Sequence, residues 1–210
     1  MNLICFDLDN TLINSERANV YSYNYALRKN GYSEWKFKDL VVLFGKPHED
    51  IVRILTKSKD TNVIEMIKKD HDIILSKKFY KLAKVKKGVR NTLEILSKKY
   101  SLAIVSNAAS RNILLLLKAA GLDRKYFSTV IGNDGVSHSK PWPDEIMKAE
   151  KLMRHKARFM VGDSIYDVMA GKKAGVKTIA ILSGRYSRKQ LEMVNADYIL
   201  ERFNDLLKIL

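Results

Sequence analysis

The second half of the chain alternates short apolar runs with amphipathic segments. The short β-rich runs predict buried strands, and the repeats of apolar residues every three or four positions predict helices. Strands that alternate with helices form a parallel sheet covered on both faces, so an α/β fold is predicted. The predicted strands span 1–8, 101–105, 128–132, 158–162, 176–181 and 198–200, and the predicted helices span 89–99, 109–120, 143–153, 165–174, 187–194 and 204–210.

A different pattern separates the first predicted strand from the others. Between Asn14 and Leu82 the apolar residues recur at helical spacing, and no segment has the alternation typical of a strand. We therefore predict an inserted helical domain with its own core over 14–85, and a main domain formed by 1–13 and 86–210. Two apolar stripes carry this prediction, one at Ala18, Tyr21 and Tyr25 and one at Ile64, Ile67, Ile74, Leu75, Phe79 and Leu82.

Composition supports a folded protein outside the membrane. Hydrophobic residues make up 46% of the chain, enough for a core. The longest strongly apolar run, Ile113–Leu117, is far shorter than the roughly 20 residues that cross a bilayer. The first residues lack a basic segment, and their apolar part meets Asp7 too early for a secretory signal. These features predict a cytoplasmic protein without a membrane partner.

The net charge of +15 arises from 38 basic and 23 acidic residues. Residues 57–99 alone contain thirteen Lys or Arg and five Asp or Glu. Such a field attracts anions, which include nucleic acids and small phosphorylated molecules. The basic residues here occur as lysine pairs and not as arginine-rich patches with interleaved aromatic residues, a pattern that favours a solvated helix face over nucleic-acid binding.

Two carboxylates follow the first predicted strand. Alternate side chains of a strand share a face, so Asp7 and Asp9 point together into the crevice beyond its carboxyl end. Two such charges at roughly 4 Å repel by about 4 kcal/mol at an effective dielectric constant near 20, which favours a bound divalent cation or a retained proton. For this motif alone, a solvated acidic turn remains the alternative.

The other predicted strands deliver further polar groups to the same edge. In an open parallel sheet, ligands bind at the carboxyl ends of the strands. Acid, hydroxyl and amine groups that converge from separate strands indicate one binding site. Their convergence argues against the alternative that each is an ordinary solvent-exposed residue. These groups are Ser106 and Asn107 after one strand, Lys140 in the loop after the next, and Asp163 and Asp167 after a third.

Together these groups can carry out phosphoryl transfer. An aspartate can attack phosphorus and form an aspartyl-phosphate that water hydrolyses. Oxygen ligands from Asp7, Asp163 and Asp167 suit Mg²⁺. Lys140 would neutralise phosphate, and Asp9 would protonate the leaving alcohol and then accept a proton from water. The Ser106 side chain and the Asn107 backbone N–H would donate to the remaining phosphate oxygens.

Four ordered segments resemble the motifs of the haloacid dehalogenase superfamily: Phe6–Leu12, Val105–Asn107, Lys140–Pro141 and Gly162–Asp167. The inserted segment is similar to the cap of its phosphoglycolate phosphatase and β-phosphoglucomutase-like branch. The resemblance implies a Rossmann-like, doubly wound parallel sheet with an inserted α-helical cap. The resemblance also implies a role for each site residue. Asp7 would be the nucleophile, and Asp9 would act as acid and base while its backbone carbonyl binds Mg²⁺. The residues implied to bind phosphate are Thr11, Ser106, Asn107 and Lys140, and those implied at the metal are Asp163 and Asp167.

Two positions separate the activities within this superfamily. Dehalogenating relatives lack the second aspartate of the first motif, which is Asp9 here, and sugar-phosphate mutases usually carry glutamate where this chain has Gly162. We therefore expect a Mg²⁺-dependent phosphatase that acts on a small phosphorylated metabolite, such as a phosphoglycolate-like compound or a sugar phosphate. The alternatives are a mutase of the same fold and a non-catalytic module that binds an anion or nucleic acid.

The loop at 44–50 has the turn residues and mixed charges of a specificity loop and resembles the cap loop of that branch. Lys46 is a candidate for a second anionic group of the substrate, and a solvated lysine beside a helix start is the alternative. Among the histidines, His48 is predicted near the site. His71, His138 and His155 are predicted at the surface.

Overall fold

A computed structural model describes residues 1–183 and 185–210. Its centre, within those residues, is a six-stranded parallel sheet in the order β5-β4-β1-β6-β7-β8. The α/β prediction is therefore confirmed. The first strand is shorter than predicted, since only four of its residues pair with neighbours. The strands are β1 Leu3–Phe6, β4 Ser101–Ser106, β5 Thr129–Gly132, β6 Ala157–Gly162, β7 Lys177–Ile181 and β8 Tyr198–Leu200.

Alternation along the central strands divides the core into two layers. In β1, Ile4 and Phe6 join one hydrophobic cluster, whereas Leu3 and Cys5 join another on the opposite face. Helices cover both clusters, as a doubly wound sheet requires. Helices α5 Val89–Leu96 and α6 Ser110–Ala119 cover the first face, α7 Asp144–Met153 and α8 Ile165–Lys173 cover the second, and α9 Arg188–Met193 packs at the β7 edge.

Helices fill the segment between β1 and α5, and they have a hydrophobic cluster of their own that includes Val20, Tyr23 and Ile67. A short antiparallel pair, β2 with β3, joins the two ends of this segment and was not predicted. The division at 13/14 and 85/86 stays a prediction. The elements are β2 Ile13–Asn14, α1 Glu16–Lys29, α2 Phe37–Val41, α3 His48–Thr56, α4 Thr61–Lys77 and β3 Lys84–Val85.

The buried face of α1 differs from the predicted one. Tyr21 and Tyr25 are 44% and 36% exposed, whereas Val20 and Leu27 are buried. Both sets of residues have helical spacing. Burial favours the aliphatic set because those side chains carry no polar atom, while a tyrosine at the surface keeps its hydroxyl in water. Tyr21 instead contacts Phe79 edge-on, with ring centroids 5.6 Å apart.

Two further differences concern weak helical patterns. Leu82, predicted as part of the inward stripe, is 36% exposed and lies in a 3-10 helix over Phe79–Leu82. The predicted helix at 204–210 is a 3-10 helix over Phe203–Lys208, whose buried residues include Leu206. Among the described residues, no helix combines the length and the apolar character needed to cross a membrane.

Candidate active site

The site lies at the switch point of the sheet. From β1 the chain proceeds to β4 and β5 on one side, and then crosses to β6 on the other side of β1. Asp7 directly follows β1, and Asp163 directly follows β6. The backbone N–H of Asp7 donates to the Val161 carbonyl at 2.8 Å, which holds the two strand ends together. Crevices of this kind are where open α/β sheets bind ligands.

Lys140 connects two of the acidic residues. Its Nζ lies 2.7 Å from Asp7 Oδ1 and 2.6 Å from Asp167 Oδ1, and only 2% of the residue is exposed. Burial opposes the charged form of the lysine, but the two carboxylates outweigh it and raise the pKa of Lys140. The structure therefore holds a permanent positive charge beside Asp7.

Asp167 is oriented by the start of α8. Its Oδ2 accepts from the Ser164 hydroxyl at 2.6 Å and from the Ser164 backbone N–H at 3.1 Å, the reciprocal pattern of a capping box. Its other oxygen accepts from Lys140. Both oxygens of Asp167 are therefore engaged within the protein.

Asp163 has partners that the sequence analysis did not identify. Its Oδ2 accepts from Ser183 Oγ and from the Arg185 guanidinium, each at 2.6 Å. The Arg185 side chain is 6% exposed. Both partners follow β7, and the rule that each strand end delivers a group to the site would have identified them had it been applied to that strand.

Thr11 is fully buried, and its hydroxyl donates to Asp163 Oδ1 at 3.4 Å. The structure thus gives Thr11 a carboxylate partner, and its expected contact with phosphate stays a prediction.

The two ends of the helical insertion contact the first motif. Ser15, just before α1, donates its hydroxyl to Asp9 Oδ1. Burial raises the pKa of Asp9, and the Ser15 hydrogen bond partly opposes this effect. Lys86, just after β3, donates to the Asn10 backbone carbonyl, and burial lowers the pKa of this lysine. Neither contact was predicted.

Ser106 is the last residue of β4 and Asn107 follows it, and both line the same cavity as Asp7. The Ser106 hydroxyl accepts from the Ala108 backbone N–H at 3.2 Å. The Asn107 side-chain amide donates to the Gly45 carbonyl at 3.2 Å and to the Lys140 carbonyl at 3.1 Å. Asn107 therefore ties the 44–50 loop to the loop that carries Lys140.

The acidic cluster fits a divalent cation. Asp7, Asp163 and Asp167 are buried, and each offers a carboxylate oxygen within 4.8 Å of the others. Together with Asp9 they supply four carboxylates, whereas two cations of the described chain, Lys140 and Arg185, are ion-paired with them. Burial raises the pKa of Asp7 even though Lys140 opposes it. Excess negative charge on hard oxygen ligands matches the preference of Mg²⁺.

Residues of the insertion line one side of the cavity, whose volume is about 80 Å³. Lys46 lines it, and its Nζ donates to the Tyr166 hydroxyl at 2.9 Å. His48 also lines the cavity.

The prediction that His71 lies at the surface is wrong, because the residue is 4% exposed and lines the cavity beside His48. The sequence does carry a signal for this position. His71 follows Ile67 by four residues and precedes Leu75 by four, which places it on the buried face of α4. His138 is exposed as predicted, and His155 is partly buried, with Ser101 as a hydrogen-bond partner at 3.0 Å.

Gly162 allows the close approach of Asp167. A Cβ atom at position 162 would lie 2.2 to 2.4 Å from side-chain atoms of Asp167. We expect Gly162→Ala to displace that carboxylate from Lys140, to destabilise the fold by roughly 1–3 kcal/mol and to lower the phosphate-releasing activity predicted from the sequence. Urea unfolding and phosphate release measure the two effects.

The matched control is Gly135→Ala, where the nearest atom to a new Cβ is the tip of Lys148 at 3.2 Å, a flexible side chain. This control is expected to behave like the wild type. A Gly162→Ala protein with unchanged stability and unchanged turnover would contradict the proposed packing.

Comparison with known proteins agrees with this geometry. The family model described as haloacid dehalogenase-like hydrolase matches residues 4–181. Hydrolases of this family generally use a divalent metal ion. The chain is 31% identical over 217 residues to the pyrophosphatase PpaX of Bacillus mycoides, which covers 100% of this chain and 97% of that protein.

Solved structures show the same fold. A protein described as a predicted phosphoglycolate phosphatase from Haemophilus somnus has a TM-score of 0.86 and 25% identity, over 100% of this chain and 97% of that one. A hydrolase from Pseudomonas syringae has a TM-score of 0.85 and 24% identity, over 99% and 97%. The family match and the relatives identify this chain as a member of the haloacid dehalogenase-like hydrolases and as a phosphatase.

Proposed function

We propose that the protein is a Mg²⁺-dependent phosphatase that hydrolyses a small phosphorylated metabolite through an aspartyl-phosphate on Asp7. The observation that carries the proposal is the position of Asp7, which is buried, 2.7 Å from Lys140 and close to Asp163 and Asp167. A buried carboxylate beside a fixed cation can approach an anionic phosphate without strong repulsion.

In the proposed first step, an Asp7 oxygen attacks phosphorus, and the bond from phosphorus to the leaving oxygen breaks. Lys140 offsets the negative charge on the phosphoryl group. Ser106 and the Asn107 backbone N–H donate hydrogen bonds to its oxygens. Asp9 gives its proton to the leaving oxygen.

In the second step, a water oxygen attacks phosphorus and gives a proton to Asp9. The bond from phosphorus to Asp7 then breaks, which restores the carboxylate and releases phosphate. The sum of the two steps is hydrolysis of one phosphoester bond by one water. The Ser15 hydroxyl holds Asp9 at the position where it can donate and later accept the proton.

The residues proposed to hold Mg²⁺ are Asp7, Asp163 and the backbone carbonyl of Asp9, with Asp167 acting directly or through water. When bound, the ion would neutralise charge on the phosphoryl oxygens. Both carboxylate oxygens of Asp167 already accept hydrogen bonds, one from Lys140 and one from Ser164. This favours contact between Asp167 and the ion through a bound water.

The substrate is proposed to be small. The cavity volume of about 80 Å³ has room for a few water molecules or a phosphate with a small substituent. The names of the relatives put inorganic pyrophosphate and phosphoglycolate first among the candidates. Lys46 and His48 are proposed to contact the part of the substrate that does not react, since both line the cavity. The close packing at Gly162, where mutases usually carry glutamate, supports hydrolysis over isomerisation.

The test uses the purified protein with pyrophosphate, phosphoglycolate, hexose phosphates and p-nitrophenyl phosphate. We expect free phosphate from at least one compound, loss of that release with EDTA, and recovery with added Mg²⁺. Phosphate release that survives EDTA would contradict metal dependence. Interconversion of hexose phosphates without release would favour the mutase, and binding of nucleic acid at low salt without turnover would favour the binding module.

A further inference from the structure

Two buried nitrogen atoms of the insertion lack hydrogen-bond partners within the described residues. They are Nε2 of His48, at the start of α3, and Nε2 of His71, in the middle of α4. A buried polar atom without a partner is costly and calls for an explanation, of which a bound ion is one. The two rings lie side by side, with centroids 4.7 Å apart.

A carboxylate sets the state of the His71 ring. Its Nδ1 lies 3.0 Å from Asp72 Oδ1, which also accepts from Asn112 Nδ2 at 2.8 Å. Because this oxygen already accepts from the Asn112 amide, it acts as an acceptor toward His71 as well. Nδ1 of His71 is therefore the donor, and in the neutral ring the lone pair is on Nε2, the arrangement of a histidine that ligates a metal with a carboxylate behind it.

The second ring, His48, packs edge-on against His71, and its Nε2 is buried without a hydrogen-bond partner among the described residues. The neutral form of imidazole is the one that binds metal ions. His48, His71 and Asp72 form one cluster, in which one nitrogen or oxygen atom of each lies within 4.8 Å of the others.

The chemistry of these ligands differs from that of the aspartate cluster. Two imidazole ligands, one of them backed by a carboxylate, suit Zn²⁺ and its neighbours Co²⁺ and Ni²⁺, whereas an all-oxygen set suits Mg²⁺. We propose that His48 and His71 bind a Zn²⁺-like divalent ion through their Nε2 atoms, and that Asp72 orients the His71 ring from behind. Because these residues line the same cavity as Asp7, the ion would add positive charge to the wall of that cavity.

The test measures binding of Zn²⁺ by calorimetry, and of Co²⁺ by its visible absorption, to the whole protein in a large excess of Mg²⁺. The excess of Mg²⁺ keeps the aspartate cluster occupied. We expect one Zn²⁺ per chain, and a Co²⁺ spectrum with the strong bands of a four-coordinate site that contains nitrogen ligands. Weak bands typical of six oxygen ligands, or no bound ion, would overturn the proposal.

Variants locate the ion. His48→Gln and His71→Gln are each expected to weaken Zn²⁺ binding by about 100-fold. His138→Gln is the matched control, because His138 is exposed and also lies beside a carboxylate, Asp144, at 3.2 Å. This control and Asp7→Asn are expected to bind Zn²⁺ like the wild type.

The measurement stays decisive if one variant fails to fold. His71→Gln removes the hydrogen bond to Asp72 and with it some stability. The His48 ring has no hydrogen bond to the described residues, so His48→Gln is expected to fold. Unchanged Zn²⁺ affinity in folded His48→Gln, or loss of binding in Asp7→Asn, would overturn the proposal.

Discussion

The Asp7→Asn protein is expected to lose phosphate release by about 10⁴-fold or more and to stay folded. The amide keeps the shape of the side chain but cannot attack phosphorus. Lys140 retains its bond to Asp167, so its charge stays paired. Phosphate release with the best substrate measures activity, and urea unfolding measures stability.

The stability of the Asp7→Asn protein relative to the wild type is expected to depend on pH. Burial raises the pKa of Asp7 in the folded protein above its value in the unfolded chain. The wild type therefore loses stability as the pH rises through the interval between these two pKa values, because ionisation is harder in the folded state. Asparagine does not titrate, so the stability of Asp7→Asn relative to the wild type should increase with pH.

Asp123→Asn is the matched control, since Asp123 is exposed and accepts from the Lys125 backbone N–H at 2.9 Å, outside the residues that line the cavity. Its turnover is expected to equal that of the wild type. An Asp7→Asn protein that keeps more than a small fraction of the activity would rule out the aspartyl-phosphate route.

The Lys140→Met protein is expected to lose both activity and stability. Methionine fills a similar volume but leaves Asp7 and Asp167 without their shared cation. Breaking a buried ion pair in this way destabilises by about 3–5 kcal/mol, because the remaining charges stay desolvated. Urea unfolding at neutral pH measures the loss, and part of it should be restored in the double variant Asp7→Asn/Lys140→Met, where one of those charges is removed.

The matched control is Lys177→Met, which breaks an ion pair at the surface. Lys177 Nζ lies 3.0 Å from Asp197 Oδ1, and the lysine side chain is 64% exposed. Solvent screens such pairs, so the expected loss is below about 1 kcal/mol. Equal effects of the two substitutions would show that Lys140 does not serve to compensate buried charge.

The order of the core elements and most of the acidic cluster could be predicted from the sequence. Strand periodicity and helix periodicity are local properties, and they located the six strands of the core sheet to within a few residues at each end. The sheet rule then placed Asp7, Lys140 and Asp163 at one edge, because parallel strands end on the same side. Tertiary packing only adjusted the ends of these elements.

Other features depended on which surfaces meet in three dimensions. The helical spacing of apolar residues in α1 was compatible with burial of either face. In the folded protein the face with Val20 is buried, and Tyr21 is exposed. Arg185 reaches Asp163 across 22 positions of the sequence, and His48 meets His71 only because α3 and α4 pack together. The sequence by itself determined the local elements and the residues at the strand ends. The tertiary structure decided the partners of those residues. Contacts between distant segments depend on which apolar faces of helices and sheet pack together to exclude water, and no local sequence pattern specifies that choice.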